Sequence, residues 1–328
     1  MPEQINEAKD PPVLSLVIPM FNEEDGLDIL FDRLCPVLDG IGEPYEIVCV
    51  DDGSRDGTLA ALTKIQDRVP QLVIAELSRN FGKESALSAG LDIARGQAVI
   101  PFDADLQDPP ELIPDLVAKW RDGFDVVLAR RTDRRAEGAL KRFTAWAFYR
   151  THNVLAEHPI PNNVGDFRLM DRRVVDVLTR LPERRRFMKG LFAWVGFKTA
   201  IVDFERAPRA AGDTKWNYWK LWNFALEGIT SFSSLPLRFW SYIGAAVAAI
   251  SFLYAAFIVL FTLFAGIDVP GYASLLVIVL FLGGLQLLSL GLLGEYVGRI
   301  YAEVKGRPLY VLRRVHRSGD AENRSSDA

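Results

Sequence analysis

Histidine and cysteine are scarce in this chain. Its 328 residues include three histidines and two cysteines, and no Cys/His cluster at zinc-ligand spacing occurs, which argues against a zinc site. Cys35 and Cys49 fit a reducing compartment, and Cys49 sits in an apolar run that reads as core. Positive charge is not in excess: 38 Lys and Arg against 42 Asp and Glu leave a formal charge of −4, which argues against a nucleic-acid partner. The glycine fingerprints of the commonest nucleotide folds are missing too. No Gly-x-Gly-x-x-Gly follows the first predicted strand and no Walker A pattern occurs, which removes dinucleotide-binding and P-loop readings. The polar, acidic residues 1–12 carry no signal-peptide apolar segment, so the domain that follows is expected to stay in the cytoplasm.

Apolar residues are abundant, at 49% of the chain, and the surplus is local. Two uncharged runs, about 239–265 and 272–294, each exceed the roughly 20 residues that cross a bilayer core. The link Gly266-Ile267-Asp268-Val269-Pro270-Gly271 has turn chemistry, so the pair is expected to form a transmembrane hairpin. Arg238 precedes it; Arg299, Lys305, Arg307, Arg313 and Arg314 follow it; the turn has no Lys or Arg. Positive-inside bias puts both ends in the cytoplasm. Just upstream, Trp216, Trp219 and Trp222 recur every three residues beside Tyr218 and lysines, the pattern of an interfacial helix lying along lipid headgroups. Arg184-Arg185-Arg186 reads as a membrane-facing surface. Gly283, Gly284, Gly291 and Gly294 allow close helix packing, and a homo-oligomer is compatible with that.

Before residue 236 the chain alternates strand-like and helix-like segments. Strands are predicted at 13–19, 45–50, 72–77, 98–102 and 125–129, with helices at 26–38, 58–66, 83–94 and 109–121. That alternation predicts an α/β fold with a mostly parallel, Rossmann-like sheet covered on both faces. The stretch 140–181 reads as more helical and arginine-rich. Three acidic clusters fall at strand ends: Asn22-Glu23-Glu24, Asp51-Asp52 and Asp103-Ala104-Asp105. In an open parallel sheet such ends line one crevice. A single acidic strand end is usually a turn or a helix cap; three at one rim point to a site for a metal and a sugar nucleotide. Asp103 and Asp105 with the Gln107 amide oxygen suit Mg²⁺ or Mn²⁺, and that cation suits a diphosphate. For Asp52-Gly53-Ser54 the reading as a turn with a cap stands beside the functional one.

Five ordered segments carry a resemblance: Val17-Ile18-Pro19-Met20-Phe21-Asn22-Glu23, Val50-Asp51-Asp52-Gly53-Ser54-Arg55-Asp56-Gly57-Thr58, Ser78-Arg79-Asn80-Phe81-Gly82-Lys83-Glu84, Asp103-Ala104-Asp105-Leu106-Gln107-Asp108-Pro109-Pro110-Glu111 and Gly165-Asp166-Phe167-Arg168-Leu169. Together they resemble the family 2 glycosyltransferases of GT-A fold, in the branch that uses polyprenyl phosphate acceptors. The resemblance implies a nucleotide-sugar site containing Pro19, Phe21, Glu23, Asp51, Asp52, Lys83, Asp103, Arg130, Arg131, Arg209, Thr214 and Lys215, with Asp103, Asp105 and Gln107 holding the metal. Arg209, Thr214 and Lys215 fall in a loop expected to close over the diphosphate, and Lys141 and Arg142 lie where the family places cations for the acceptor phosphate. Asp105, Asp166, Lys141 and Arg142 are the expected catalytic set. Asp166 is expected to touch the transferred sugar; the competing reading is a helix cap or a pair with Arg168.

The implied reaction is one inverting, metal-dependent transfer of a hexose, UDP-linked, to a polyprenyl phosphate such as undecaprenyl phosphate at the cytoplasmic membrane face. The Gln-x-x-Arg-Trp string of processive synthases is absent, which points to a single transfer. Two other readings stay open: another lipid acceptor, and a silent membrane scaffold. The expected organisation is a polar arm at 1–12, a GT-A domain at 13–212, an interfacial segment at 213–236, two crossings within 237–300, and a basic then disordered cytoplasmic tail at 301–328.

Overall fold

The computed structural model describes residues 11–132, 164–181, 183, 188–204, isolated helical positions between 244 and 264, and 271–318. The chain divides into two compact units. The first holds the sheet and includes the segment from Pro308 onward; the second is built mainly from Phe224–Arg307.

The sheet domain alternates as predicted. In chain order it runs β1 (Leu14–Met20), α1 (Leu27–Ile41), β2 (Tyr45–Asp51), α2 (Thr58–Arg68), β3 (Leu72–Leu77), α3 (Lys83–Ile93), β4 (Ala98–Pro101), α4 (Ile113–Arg121), β5 (Val126–Arg131), β6 (Val164–Asp171), α5 (Arg172–Arg180), α6 (Met188–Trp194) and β7 (Thr199–Phe204). A long helix, α7 (Tyr272–Val304), belongs to the second unit, and β8 (Leu312–His316) returns to the first. The strands form one sheet in the order β7-β5-β6-β4-β1-β2-β3-β8. Strands β1, β2, β3 and β4 are mutually parallel, as β5 and β7 are; β6 and β8 run antiparallel to their neighbours.

Burial explains the strand sequences. Leu14, Leu16, Ile18 and Met20 point into one core, while Val17 meets the helix on the other face, so β1 is a continuous apolar run rather than an alternating one. Helix α1 buries Leu27, Leu30, Phe31, Leu34 and Leu38, the spacing of a helix with one apolar stripe. Gly42, at φ +74°, ends it in the left-handed conformation. On the opposite face α3 lies so close that a Cβ at Gly90 would stand 2.2 Å from a Val17 methyl carbon. The small residues of that helix set the approach of helix to sheet.

Two elements differ from expectation. Residues 164–171, inside the stretch read as helical, form β6, with buried Phe167, Leu169 and Met170. Polar residues interrupt its apolar ones, and it is held by pairing with β4 and β5. The segment read as a basic tail contains β8, an edge strand whose charged sequence suits an edge. In the second unit α7 spans 33 residues, and its Phe281–Val304 portion is long and apolar enough to cross a membrane by length and composition. One such helix is found among the described residues. Most of the first predicted crossing lies outside those residues.

Candidate functional site

The sheet topology fixes where a ligand can sit. From β1 the chain winds outward one way through β2 and β3, then starts again on the other side with β4. The carboxyl ends of β1 and β4 therefore flank a topological switch point, where open α/β sheets bind ligands. Phe21 to Glu24 leave β1 at this rim, and Asp103 to Asp105 leave β4. Two non-glycine residues with positive φ occur there, Asn22 at 56° and Leu106 at 52°. Asparagine tolerates that conformation, but at leucine it stores about 1–3 kcal/mol of strain.

On the β1–β2 side the loops are sewn together. The Asn22 amide donates to Ser54 Oγ at 3.0 Å, the Glu23 amide to Thr58 Oγ1 at 2.9 Å, and the Arg55 amide to Asn22 Oδ1 at 2.9 Å. Phe21 is left 40% exposed beside this seam, with Pro19 half-buried on β1 opposite Val50. Asp51 is buried at the end of β2, and its Oδ1 accepts the Ser54 amide at 3.2 Å. Burial pushes its carboxyl above the ordinary value, the Ser54 hydrogen bonds oppose that, and the nearby Glu76 charge adds to it.

Asp52, expected at the nucleotide-sugar site, lies just beyond β2. Its two oxygens accept the amides of Phe81 at 2.7 Å and Gly82 at 2.8 Å. It therefore fixes the 78–82 loop against β2. Gly53, at φ +69°, completes that fit: a Cβ there would stand 2.6 Å from the Arg79 carbonyl carbon, too close for any side chain. Neither α2 nor α3 has a side-chain cap, so Asp52 closes a distant loop rather than capping a helix.

The loop so held delivers Lys83 at the start of α3. Its ammonium lies 2.7 Å from one Asp103 oxygen and 3.3 Å from Asp166 Oδ2. Burial alone would lower the lysine; the Asp103 and Asp166 carboxylates outweigh it and raise it well above the ordinary value. Asp166 arrives because β6 runs antiparallel to β4 with Val99 opposite Met170, a register that, continued, puts Asp166 opposite Asp103. Among the described residues it is not the cap of α5, which is Asp171, accepting the Arg173 amide. Nor is Arg168 its carboxylate partner in the hydrogen bonds described. That guanidinium donates to the Gly165 carbonyl at 2.6 Å and the Asp166 carbonyl at 3.3 Å, and lies 3.9 Å over the Phe192 ring. Burial pulls Arg168 down to about 10, against the attraction of Asp166. The sequence reading did not foresee this buried clamp, although an arginine inside an apolar strand was its visible signal.

Asp105 is exposed beyond β4, and its oxygens accept the Gln107 backbone amide at 3.2 Å and the Gln107 side-chain amide. Among the described residues no group of three or more His, Cys, Asp or Glu could by itself hold a metal ion. Two aspartates and an amide still fit Mg²⁺ or Mn²⁺, because such a cation takes one or two carboxylates and completes its shell with phosphate oxygens and water. Arg130, expected near phosphate, forms a bidentate pair with Asp203 of β7 at 2.6 and 2.8 Å, and Arg131 is half-buried beside it. Lys141, Arg142, Arg209, Thr214 and Lys215 lie outside the described residues, as do the tryptophan-rich segment and Arg184 to Arg186.

Comparison with known proteins adds to this geometry. A family model described as Glycosyl transferase family 2 matches residues 15–179. An uncharacterized glycosyltransferase of Synechocystis, sll0501, is 60% identical over 299 residues, covering 91% of this chain and 94% of that protein. The SfII prophage-derived bactoprenol glucosyl transferase of Shigella flexneri is 53% identical over 304 residues, covering 93% of this chain and 98% of that one. A solved glucosyl-3-phosphoglycerate synthase of Mycobacterium tuberculosis, in complex with Mn²⁺ and UDP-glucose, is 19% identical with a TM-score of 0.41, covering 66% of this chain and 76% of that chain.

Proposed function

This chain belongs to glycosyl transferase family 2 and is a glycosyltransferase; on that premise we propose that it moves one glucose from UDP-glucose to a polyprenyl phosphate at the cytoplasmic face of a membrane. The observation that carries the reading is the convergence of Asp103, Asp166 and Lys83 at the β1/β4 switch point, with Asp105 beside them. Glucose and the prenyl acceptor rest on the bactoprenol glucosyl transferases, which match this chain over nearly their whole length.

In this reading Phe21 and Pro19 border the base and Asp51 takes a base or ribose donor group. Asp103, Asp105 and Gln107 would hold a divalent cation, which supplies charge compensation for the leaving diphosphate. Lys83 keeps Asp103 and Asp166 oriented and offers its ammonium to the donor phosphates. Asp166, braced through its backbone by Arg168, faces the transferred sugar. The acceptor phosphate is anionic near neutral pH, so no histidine base is needed. Rate enhancement comes from positioning and from cationic stabilisation of the departing charge. Lys141 and Arg142 are assigned to the acceptor phosphate, and Arg209, Thr214 and Lys215 to closure over the diphosphate.

Chain connectivity supports the membrane hairpin. β8 is hydrogen-bonded to β3 in the sheet that precedes Phe224. A chain that crosses a bilayer within 224–307 and returns to that sheet must cross an even number of times. With one crossing in α7, where the uncharged run is 272–294, the 239–265 run is the natural second.

The test uses the full chain in detergent with Mg²⁺, undecaprenyl phosphate and a panel of radiolabelled UDP- and GDP-sugars, reading label extracted into organic solvent. Label from UDP-glucose that is lost in Asp105→Ala supports the proposal. No lipid-linked label from any donor, with nucleotide still bound, overturns the acceptor.

A further inference from the structure

The C-terminal strand reaches toward the donor end of the site through one residue. Along the β3–β8 ladder Ile74 faces His316, Ala75 faces Val315 and Glu76 faces Arg314; the register then slips, and Leu77 faces Leu312. Arg313 is the extra residue of a β-bulge. Bulges re-aim side chains, and here the guanidinium turns onto β3: Nη1 lies 2.6 Å from Glu76 Oε1, and Nη2 lies 3.4 Å from the Ser78 carbonyl oxygen. The Ser78 amide in turn donates to the Val311 carbonyl at 2.9 Å.

Both contacts lead inward. Glu76 has a side chain only 12% exposed and stands opposite Asp51 in the β2–β3 register. Without a cation on it, its charge would act on Asp51 across a poorly solvated gap. Ser78 opens the loop whose Phe81 and Gly82 amides are held by Asp52 and which ends at Lys83. The loop is thus fixed at one end by Asp52 and at the other by β8.

We propose that Arg313 is a positioning residue for the nucleotide-sugar site, acting through Glu76 and Ser78 on Asp51 and Lys83. The inference rests on the reading of Asp51 and Lys83 as donor contacts. It makes a strand that follows the membrane segment part of the machinery that binds the donor, although Arg313 itself touches no reacting atom.

The experiment compares full-length Arg313→Ala, Arg313→Lys, Glu76→Gln and the double variant Glu76→Gln/Arg313→Ala in detergent. Arg317→Ala serves as the control, because Arg317 anchors the same segment just past the far end of β8, 3.4 Å from Glu46 at the start of β2. UDP and UDP-glucose binding are measured by calorimetry, with separate KM values for UDP-glucose and undecaprenyl phosphate. Arg313→Ala is expected to weaken UDP-glucose binding and raise its KM about tenfold, leaving the acceptor KM unchanged. Arg313→Lys recovers part of the loss, and Glu76→Gln in the Arg313→Ala background recovers most of it. Arg317→Ala leaves the donor KM within about twofold. Unchanged donor binding in Arg313→Ala overturns the proposal, and so does a loss shared equally by donor and acceptor or by Arg317→Ala. If Arg313→Ala does not fold, the same reading is taken from Arg313→Lys against its double variant with Glu76→Gln; donor affinity that Glu76→Gln does not improve overturns it. Failure of the unaltered protein to bind UDP-glucose is a separate result and removes the donor reading instead.

Discussion

The two ends of β2 both carry acidic side chains, and they are treated in opposite ways. At the start of the strand Glu46 is saturated. One oxygen accepts the Ser15 hydroxyl at 2.6 Å and the Arg95 amide at 2.5 Å, the other faces Arg317 at 3.4 Å, and the side chain is 7% exposed. At the far end Asp51 holds the Ser54 amide at the carboxyl rim of the sheet, and Asp103, just beyond β4, meets a lysine ammonium rather than a set of backbone amides. A carboxylate enclosed by fixed donors holds the fold; one held on a single side can exchange its partner for a ligand. The same residue chemistry becomes structural or functional according to how many of its lone pairs the fold has already used.

Breaking the saturated end should cost the most. Glu46→Ala removes one partner of Arg317 and leaves Ser15 and the Arg95 amide without this acceptor, a loss of about 3–5 kcal/mol in chemical denaturation, while protein that remains folded keeps its donor KM. At the open end the sign reverses. Asp103→Ala or Asp105→Ala is expected to lower transfer to polyprenyl phosphate about 10²- to 10³-fold, and the thermal midpoint should move little; a collapse of stability in either variant would refute the contrast. Asp52 sits between the two classes. Its replacement by alanine leaves two amides unpaired, costs about 1–3 kcal/mol and raises the donor KM through the loosened 78–82 loop, so calorimetry with UDP and an unfolding curve should both respond. Smallest is the exposed bidentate pair Arg33–Glu111, at 2.8 and 2.9 Å. Arg33→Ala should change stability by about 0.2–1 kcal/mol and activity not at all.

Local pattern made the parallel core legible. β1 to β5 are apolar runs with acidic or arginine residues at their ends or within three residues beyond, and their helices carry apolar stripes, so both type and order could be read. The strand missed in the middle, β6, breaks its apolar residues with Gly165, Asp166 and Arg168, because its first half faces the site and a buried clamp. β8 was missed for another reason: Leu-Arg-Arg-Val-His is the sequence of an edge that must not attract a further strand. For the site, the acidic rim and Lys83 were visible as motifs. The assignment of Asp52 to amides some 30 residues away was not, since a side chain that closes a distant loop leaves no spacing to find. Arg130 shows the same limit, as its partner Asp203 lies across a strand pair formed only in the fold.

β8 also has a meaning in time. Synthesis runs from the amino end, so β1 to β7 can assemble while β3 still presents an unpaired edge. That edge is closed only after the whole of Phe224–Arg307 has been made and the chain has come back. A chain stalled or cut within that stretch keeps an open strand edge, the kind of surface that recruits foreign strands. Among the described strands β8 is made last and is therefore a completion mark: the β3 edge is paired only in molecules whose Phe224–Arg307 segment has already been made.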